Sequence, residues 1–590
     1  MPPSTDIITL DNFRERLPPW DPDSPNQLYA IVDMGSNGIR FSITDLSPPH
    51  TRLLKCIYRE RAGISLFDAL SASPSQSFPL ETISLVATTL SRFRSIADAH
   101  GVPEGRFSVL ATEAMRKAEN AAEMLAAIYE EAGVGVHVLA PNVETLFGAV
   151  MGSRSSFGAL DRGGLFLDLG GGSVQMTWVD TRVDGYEIEA ALAGESMPFG
   201  AARLIRVLED ADAGVRTAET GKLRDSMRAA FAKLCAHFPA LADEARRGGA
   251  VDGAGGGALG GGVDVYFCGG GFRGYGSMLM HNDPVQPYPI PSVGTYTVPG
   301  AFFRDTATMR RVNEEYDGKI FGMSRRRRQQ FPAVLEVIEA FIEVVPAIRT
   351  ATFCKGSNRE GVLLMKLPRS LRESDPLTAL ASMAIRAGEM PVVDAVMGVL
   401  RAAVPERPGV PTIFSLGLGP LFFPMIWEGM GEDAASNGAA SLHNIVRRDP
   451  SAPGLTHLAR AVLGLTTEAR WGGGLALLDA ELHTRLRALL DGAHEEAYFW
   501  AKYIGAVAGL MATFIPARPK TVDIVTSTIR AEATIDASGK SEKVLLNVRV
   551  KPASLKGVDV ENIQETLKDV GKQKGQKRNF KVKADISELV

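Results

Sequence analysis

Residues 1–27 are polar and rich in proline, and from Tyr29 apolar positions alternate in short runs: YAIVDM, IRFSITDL and RLLKCIYRER. Such period-two patterning predicts strands, and the polar opening predicts a loosely held arm. LETISLVATTLSRFRSIADAHG (80–101) shifts to helical spacing and stops on Gly101, and AMRKAENAAEMLAAIYEEAG predicts a helix stopped by Gly133. RFSVLAT and VGVHVLA read as strands, and VETLFGAVMGSRSSF as a further helix. Strands followed by alternating strands and helices predict an α/β layer on a mixed sheet.

The pattern then restarts. GGLFLDLGGGSVQMTWVD (163–180) is again strand, turn, strand, followed by helical GAARLIRVLED and GKLRDSMRAAFAKLCAHF. Glycine-dominated residues 246–264 predict a surface insertion. VDVYFCGGGFRGYGSMLM predicts strand, turn and helix, RRRRQQFPAVLEVIEAFIEVVP a helix, and TATFCKGSNREGVLLMKLP closes the unit near Pro368. Alanine- and leucine-rich helices follow to Pro516. TVDIVTSTIRAEATI and SEKVLLNVRVKP then predict two strands ahead of a lysine-rich end. The expected organisation is an arm (1–27), two α/β lobes (28–155 and 156–368), a helical domain (369–516) and a small β or α+β appendage (517–590).

Composition narrows the class. For 590 residues, 45% apolar positions suffice for several cores, and a net charge of −4 favours neither direct nucleic-acid binding nor a polybasic membrane surface. Cys56, Cys235, Cys268 and Cys354 form no CxxC pair, which fits a reducing compartment, and the nine histidines show no metal-ligand spacing. No secretory h-region is apparent, and YIGAVAGLMATFIP (503–516) is too short to span a bilayer, so a buried helix is expected there. The chain reads as a soluble cytoplasmic protein with no membrane partner.

The candidate chemistry lies in two turns. Asp33-Met34-Gly35-Ser36-Asn37-Gly38 and Asp168-Leu169-Gly170-Gly171-Gly172-Ser173 each sit at the bend of a strand pair, one per lobe. Glycine lets successive amides approach an anion, and Ser36, Asn37 and Ser173 add donors. Asp33 and Asp168 would repel bare phosphate, but they suit Mg²⁺ bridging carboxylate and phosphate oxygens. Either turn alone reads more simply as an ordinary hairpin; the repetition in matching context strengthens the phosphate reading.

The pair resembles the phosphate-1 and phosphate-2 loops of the actin-like (ribonuclease H-like) ATPase superfamily. LATEAMRKAEN (110–120), VLAPNVETLFGAV (138–150), SMPFGAARL (196–204), FCGGGFRGYG (267–276) and NREGVLLMKLP (358–368) follow in the order of the Ppx/GppA exopolyphosphatase/guanosine pentaphosphatase family. The resemblance covers roughly residues 28–368. GGGSVQMTW, the helical extension and the tail look most like the fungal branch acting in mitochondria-to-nucleus retrograde signalling. It implies two actin-like lobes around a cleft that binds ATP, a polyphosphate or another phosphorylated ligand. It also implies a protein partner regulating transcription factors, and a homodimer is compatible with it.

Residue by residue, the resemblance makes Glu144 the catalytic base and Arg116 a phosphate contact; the plain alternatives are a helix-start glutamate and a helix-surface arginine. Asn120 reads equally as a helix-face polar residue. Gly269, Gly270 and Gly271 suit either a nucleotide cap or a close-packing turn. Arg325–Arg328 read as a polyanion grip, a nuclear address or, more simply, a solvated helix entry.

Two departures bear on turnover. Ser173-Val174-Gln175 stands where active members carry Ser-Thr-Glu, and Val143-Glu144 where they carry paired glutamates. Loss of one positioned acid or base costs on the order of 10²–10⁴ in rate. The expectation is a sensor that keeps ligand binding better than hydrolysis. An active Mg²⁺-dependent phosphohydrolase and a scaffold with a vestigial cleft are the rivals.

Overall fold

The structure, a computed structural model, describes residues 7–210, 212–249, 261–407, 409–429, 431–448, 452–490, 496–538, 542–571 and 580–589. Met1–Asn282 with Ser292–Pro376 form one compact unit, and Asp283–Pro291 with Leu377–Val590 a second.

The first unit contains two six-stranded sheets. One comprises β1 (Ile7–Ile8), β2 (Leu28–Gly35), β3 (Gly38–Asp45), β4 (Lys55–Ala62), β5 (Phe107–Ala111) and β6 (Val136–Leu139), in the order β1-β6-β5-β2-β3-β4. The other comprises β7 (Gly164–Leu169), β8 (Val174–Val179), β9 (Glu195–Met197), β10 (Val263–Cys268), β11 (Thr297–Pro299) and β12 (Ile348–Phe353), in the order β11-β12-β10-β7-β8-β9. In each, a run of two antiparallel pairings (β2-β3-β4 and β7-β8-β9) adjoins a run of two parallel ones (β2-β5-β6 and β7-β10-β12), and the edge strand then adds in parallel in the first sheet (β1) and antiparallel in the second (β11). The two turns of interest therefore occupy equivalent positions, β2/β3 and β7/β8.

Both faces of β2 are covered, so its alternation sorts residues between two cores rather than between core and solvent. Ala30, Val32 and Met34 face a cluster with Phe41, Leu90 and Phe93. Tyr29 and Ile31 join Phe147, Val150, Phe166 and Leu363 in a core drawn from both lobes.

That shared core surrounds the connection between the sheets. After the short helix Pro141–Glu144, the run predicted as an ordinary helix winds as a π-helix over Thr145–Gly152. Glycines permit its crossing with the helix Asn358–Lys366: a Cβ on Gly361 would lie 1.8 Å from the Phe147 carbonyl oxygen, and one on Gly152 2.9 Å from that of Ser357. A π-helical stretch at a functional junction is a recurrent pattern.

The expected loose arm is packed from Ile7 on. β1 pairs in parallel with β6, and Phe13 and Leu17 are buried. Few apolar residues sufficed because their partners come from distant strands and helices. Of the glycine-rich insertion, residues 250–260 lie outside the described set; the helix Pro239–Gly249 precedes them and β10 follows.

In the second unit, the helix His457–Trp471 packs on the helix Ala497–Phe514, where buried Gly505 allows close approach: a Cβ on it would lie 2.3 Å from the Thr466 carbonyl oxygen. The apolar 503–516 run thus serves as the expected buried helix, and among the described residues no helix is long and apolar enough to cross a membrane. The appendage contains β13 (Ile529–Asp536), β14 (Lys543–Val550) and β15 (Lys581–Glu588), with β14 and β15 parallel and the helix Val560–Val570 between them in sequence. Two expectations change here. Val522–Thr528, predicted as strand by its β-branched residues, is a helix that buries Val525 and Thr528 at i, i+3 spacing. The lysine-rich end supplies a third strand, burying Val582 and Ala584 on one face.

Candidate functional site

In the first hairpin, register places Asp33 opposite Arg40 and Gly35 opposite Gly38, leaving Ser36 and Asn37 at the tip. Arg40 Nη1 lies 3.7 Å from Asp33 Oδ2. In the second, Asp168 stands opposite Gln175, and the Gly170 amide donates to the Ser173 carbonyl at 3.0 Å. The carbonyls of Gly170, Gly171 and Gly172 accept from the amides of Ala201, Ala202 and Gly200 at 2.9–3.0 Å. The neighbouring helix N-terminus thus engages the loop's acceptors and holds its shape.

The two turns face one another. A Cβ on Gly171 would lie 2.9 Å from Asn37 Cγ and 3.0 Å from Ser36 Cβ, and one on Gly172 only 1.7 Å from Glu113 Oε2. Glycine is required at both positions by contact across the lobes. Between and beside the turns lies a cavity of about 350 Å³. Its wall includes Asp33, Gly35, Ser36, Asn37, Glu144 and Asp168, together with Gly170–Ser173 and Gly269–Gly271.

The third glycine run opens the helix Gly269–His281 and divides its roles. Gly269 has φ +86°, and a Cβ there would lie 2.2 Å from Asp168 Oδ1. Gly271 packs on Leu169, whereas Gly270 meets only Arg40 Nη2, at 3.8 Å. Gly269 and Gly271 are close-packing residues, and Gly270 leaves its side open.

Two expected residues lie off the cavity wall. Gly38 begins β3, where a Cβ would meet the Arg61 guanidinium at 3.0 Å. Arg116 donates to the Leu139 carbonyl and, at 2.9 Å, to Glu144 Oε2. Its fork is already engaged, so it supports the proposed base and is not poised as a phosphate clamp. Asn120 clasps the Phe78 backbone, accepting at 2.7 Å and donating at 3.0 Å, a local structural role.

The arginines that reach the cavity are Arg40, Arg61, Arg273, Arg326 and Arg327. Two belong to the basic run, whose solvated-entry reading gives way. Arg326 spans the lobes to Asn37 Oδ1 (3.0 Å), Ser65 Oγ (2.9 Å) and Asp68 Oδ2 (2.8 Å). Arg328 instead donates to backbone carbonyls, including that of Asn313 at 2.9 Å. Burial, with Arg273, Arg40 and Arg61 nearby, lowers Arg327 to about 10. Like charges gathered at this cost suit an anion of several charges. The sequence reading singled out none of Arg40, Arg61 and Arg273; hairpin register, which sets Arg40 opposite Asp33, is the one signal that could have found the first, and the other two carried no comparable signal.

Carboxylates line the floor. Burial pushes Glu144 up to about 7, with Arg116 opposing and Glu113 and Asp168 adding to it. Burial raises Asp168 to about 6, with Arg273 and Arg40 opposing and Asp33 adding. Gln175 donates to Ser173 Oγ at 2.8 Å and to Ser196 Oγ at 3.3 Å, so its amide braces the second turn. The donor chemistry fits a hard divalent cation: Asp33 Oδ1 is shielded from solvent with no hydrogen-bond partner, and Asp168 stands on the same wall. No group of three His, Cys, Asp or Glu residues suited to a metal occurs among the described residues. Such an ion would be shared with ligand oxygens and not caged by protein alone.

The model of the Ppx/GppA phosphatase family matches residues 43–252, and that of the RTG2 C-terminal domain matches 375–588. Similar solved structures include an exopolyphosphatase from Cytophaga hutchinsonii, at 19% identity and TM-score 0.43 over 58% of this chain and 98% of that one. Another is the PPX-GPPA enzyme of Aquifex aeolicus, at 19% identity and TM-score 0.42 over 57% and 99%. Retrograde regulation protein 2 of Saccharomyces cerevisiae is 30% identical over 495 residues, 81% of this chain and 79% of the yeast protein. At that identity and coverage, the chain belongs to the retrograde regulation protein 2 family, built on a Ppx/GppA-type pair of lobes.

Proposed function

We propose that the protein is a retrograde, mitochondria-to-nucleus signalling regulator that senses a phosphorylated ligand between its two lobes. The observation that carries this reading is the pairing of two glycine turns from equivalent hairpins on one cavity, with five arginines at its wall. Gln175 is committed to bracing the second turn in place of an acid. Together these favour holding a polyanion over hydrolysing it.

The ligand class is ATP or another polyphosphate. The turn amides and arginines bind and orient it, and Asp33 and Asp168 would hold Mg²⁺. When bound, Mg²⁺ neutralises phosphate charge and fixes its geometry. Sensing requires the ligand to bind one lobe arrangement more tightly than another, since equal affinity shifts nothing. The output is a protein partner that controls transcription factors in the cytoplasm, reached without direct nucleic-acid or membrane binding.

One observation favours a hydrolase. A Glu144 carboxyl at about 7 titrates in the range suited to a general base at neutral pH. Glu144 would then take a proton from the attacking water through the oxygen that Arg116 leaves free.

Melting titrations with ATP, GTP, pyrophosphate and polyphosphate, each with Mg²⁺, test the sensor. A ligand-dependent rise lost in Asp168→Ala, with partner capture that follows ligand, supports it. No shift with any of them favours a vestigial cleft. Phosphate release that disappears in Glu144→Gln would replace the sensor with the enzyme.

A further inference from the structure

Asn358 lies outside both glycine turns and the arginine cluster. It opens the nine-residue helix Asn358–Lys366, is 9% exposed and lines the same cavity as Asp33 and Asp168. Its Oδ1 is shielded from solvent and has no hydrogen-bond partner, as is Asp33 Oδ1. Its direction is also informative. A Cβ on Gly148 of the π-helix would lie 2.7 Å from Asp168 Oδ2 and 2.9 Å from Asn358 Oδ1. Two acceptor oxygens thus crowd one point over a glycine, with no protein donor on the amide oxygen.

A buried amide oxygen left without a partner is unfavourable, and one beside a carboxylate more so. An apolar side chain would pack against the π-helix without that cost. The arrangement becomes favourable when an electropositive centre sits by both oxygens. Hard divalent cations prefer such a mixed set of carboxylate, amide carbonyl and ligand or water oxygens.

We propose that Asn358 Oδ1 and Asp168 Oδ2, with Asp33 nearby, form a divalent-cation seat in which the amide oxygen supplies the ligand that Gln175 does not. A neutral ligand keeps the protein's negative charge low, so a phosphate ligand can approach the same ion. The seat takes the ion by itself, with water completing its shell, and ligand oxygens then replace those waters. This inference rests on the phosphate-cleft reading, and the experiment separates the two.

The test uses the full chain and Mn²⁺ alone, reading bound metal by loss of the free Mn²⁺ electron paramagnetic resonance signal. Tripolyphosphate binding in EDTA is measured separately by calorimetry. Wild type is expected to bind one Mn²⁺ and Asn358→Leu to bind it at least about 10-fold more weakly, the scale on which shells around a metal act. Asn358→Asp, which restores an oxygen and adds charge, is expected to bind at least as tightly as wild type. Asn358→Leu should keep tripolyphosphate affinity in EDTA within about twofold of wild type, showing an intact fold and cleft.

Unchanged Mn²⁺ binding in Asn358→Leu, or none in wild type, overturns the seat. Loss of binding in Asn358→Asp equal to that in Asn358→Leu also overturns it, because the amide would then be donating to Asp168. Failure of wild type to bind tripolyphosphate with or without metal is the separate failure of the phosphate reading.

Discussion

Arg116 Nη2 lies 2.9 Å from Glu144 Oε2, pairing two residues that the resemblance assigns to separate contacts with the ligand. Both side chains are largely buried, with 17% and 14% exposure. Their pairing links the end of β6, through the Leu139 carbonyl, to the residue from which the π-helix departs. The pair fixes the orientation of the carboxyl and leaves one of its oxygens for the cavity.

Removing one partner should therefore cost more than removing both. Arg116→Met is expected to lose about 2–4 kcal/mol in urea unfolding, since it strands a buried carboxyl. Arg116→Met with Glu144→Gln should recover at least half of that loss. Additive effects in the double-mutant cycle would mean the pair is not coupled.

Gln175→Glu returns an acid to the second turn, opposite Asp168. Phosphate release from tripolyphosphate with Mg²⁺ is expected to rise by at least about 10-fold over wild type, part of the 10²–10⁴ that a positioned acid or base contributes. Unchanged release, with the fold confirmed by circular dichroism, would mean that the missing acid is not what limits turnover.

The approach of Gly172 to Glu113 leaves no room for a methyl group. Gly172→Ala should weaken ATP or tripolyphosphate binding by at least about 10-fold by wedging the turns apart. Adding Glu113→Ala makes space and should restore most of the affinity. No rescue in calorimetry would place the effect of the methyl elsewhere than in this contact.

Glu468, in the second unit, supplies a pH dependence of its own. Burial raises its carboxyl to about 7, with Lys502 opposing. The folded state thus holds this proton more tightly than the unfolded chain does. The contribution of this carboxyl to stability should fall as pH rises from about 4.5 to about 7 and level off above, by about 3 kcal/mol in all. Glu468→Gln should lack that slope, so the difference between the two proteins in denaturant midpoint should grow across this window and then stay constant.

Much of the cleft was legible because it depends on local chemistry. A carboxylate followed by Gly-Ser-Asn-Gly or Gly-Gly-Gly-Ser between alternating apolar runs specifies a tight hairpin, and its recurrence pointed to two equivalent lobes. The pairing of Arg116 with Glu144 was not legible, because a side chain's partner depends on which strand end lies beside it. The basic run was misjudged similarly: a helix-surface pattern does not reveal that Arg326 and Arg327 face a second lobe. Val522–Thr528 shows burial at i, i+3 overriding the strand preference of β-branched residues.

What the sequence alone determined was the set of elements whose signals fall within a few residues: the hairpin turns, the amphipathic helices and the restart of the pattern at the second lobe. Tertiary structure decided which distant groups meet: Glu113 against Gly172, Arg116 on Glu144, and Asn358 beside Asp168 over Gly148. The reason is physical. Backbone preference and periodicity act along neighbouring residues, whereas burial, charge pairing and an unpartnered oxygen arise only when segments far apart in the chain are packed together.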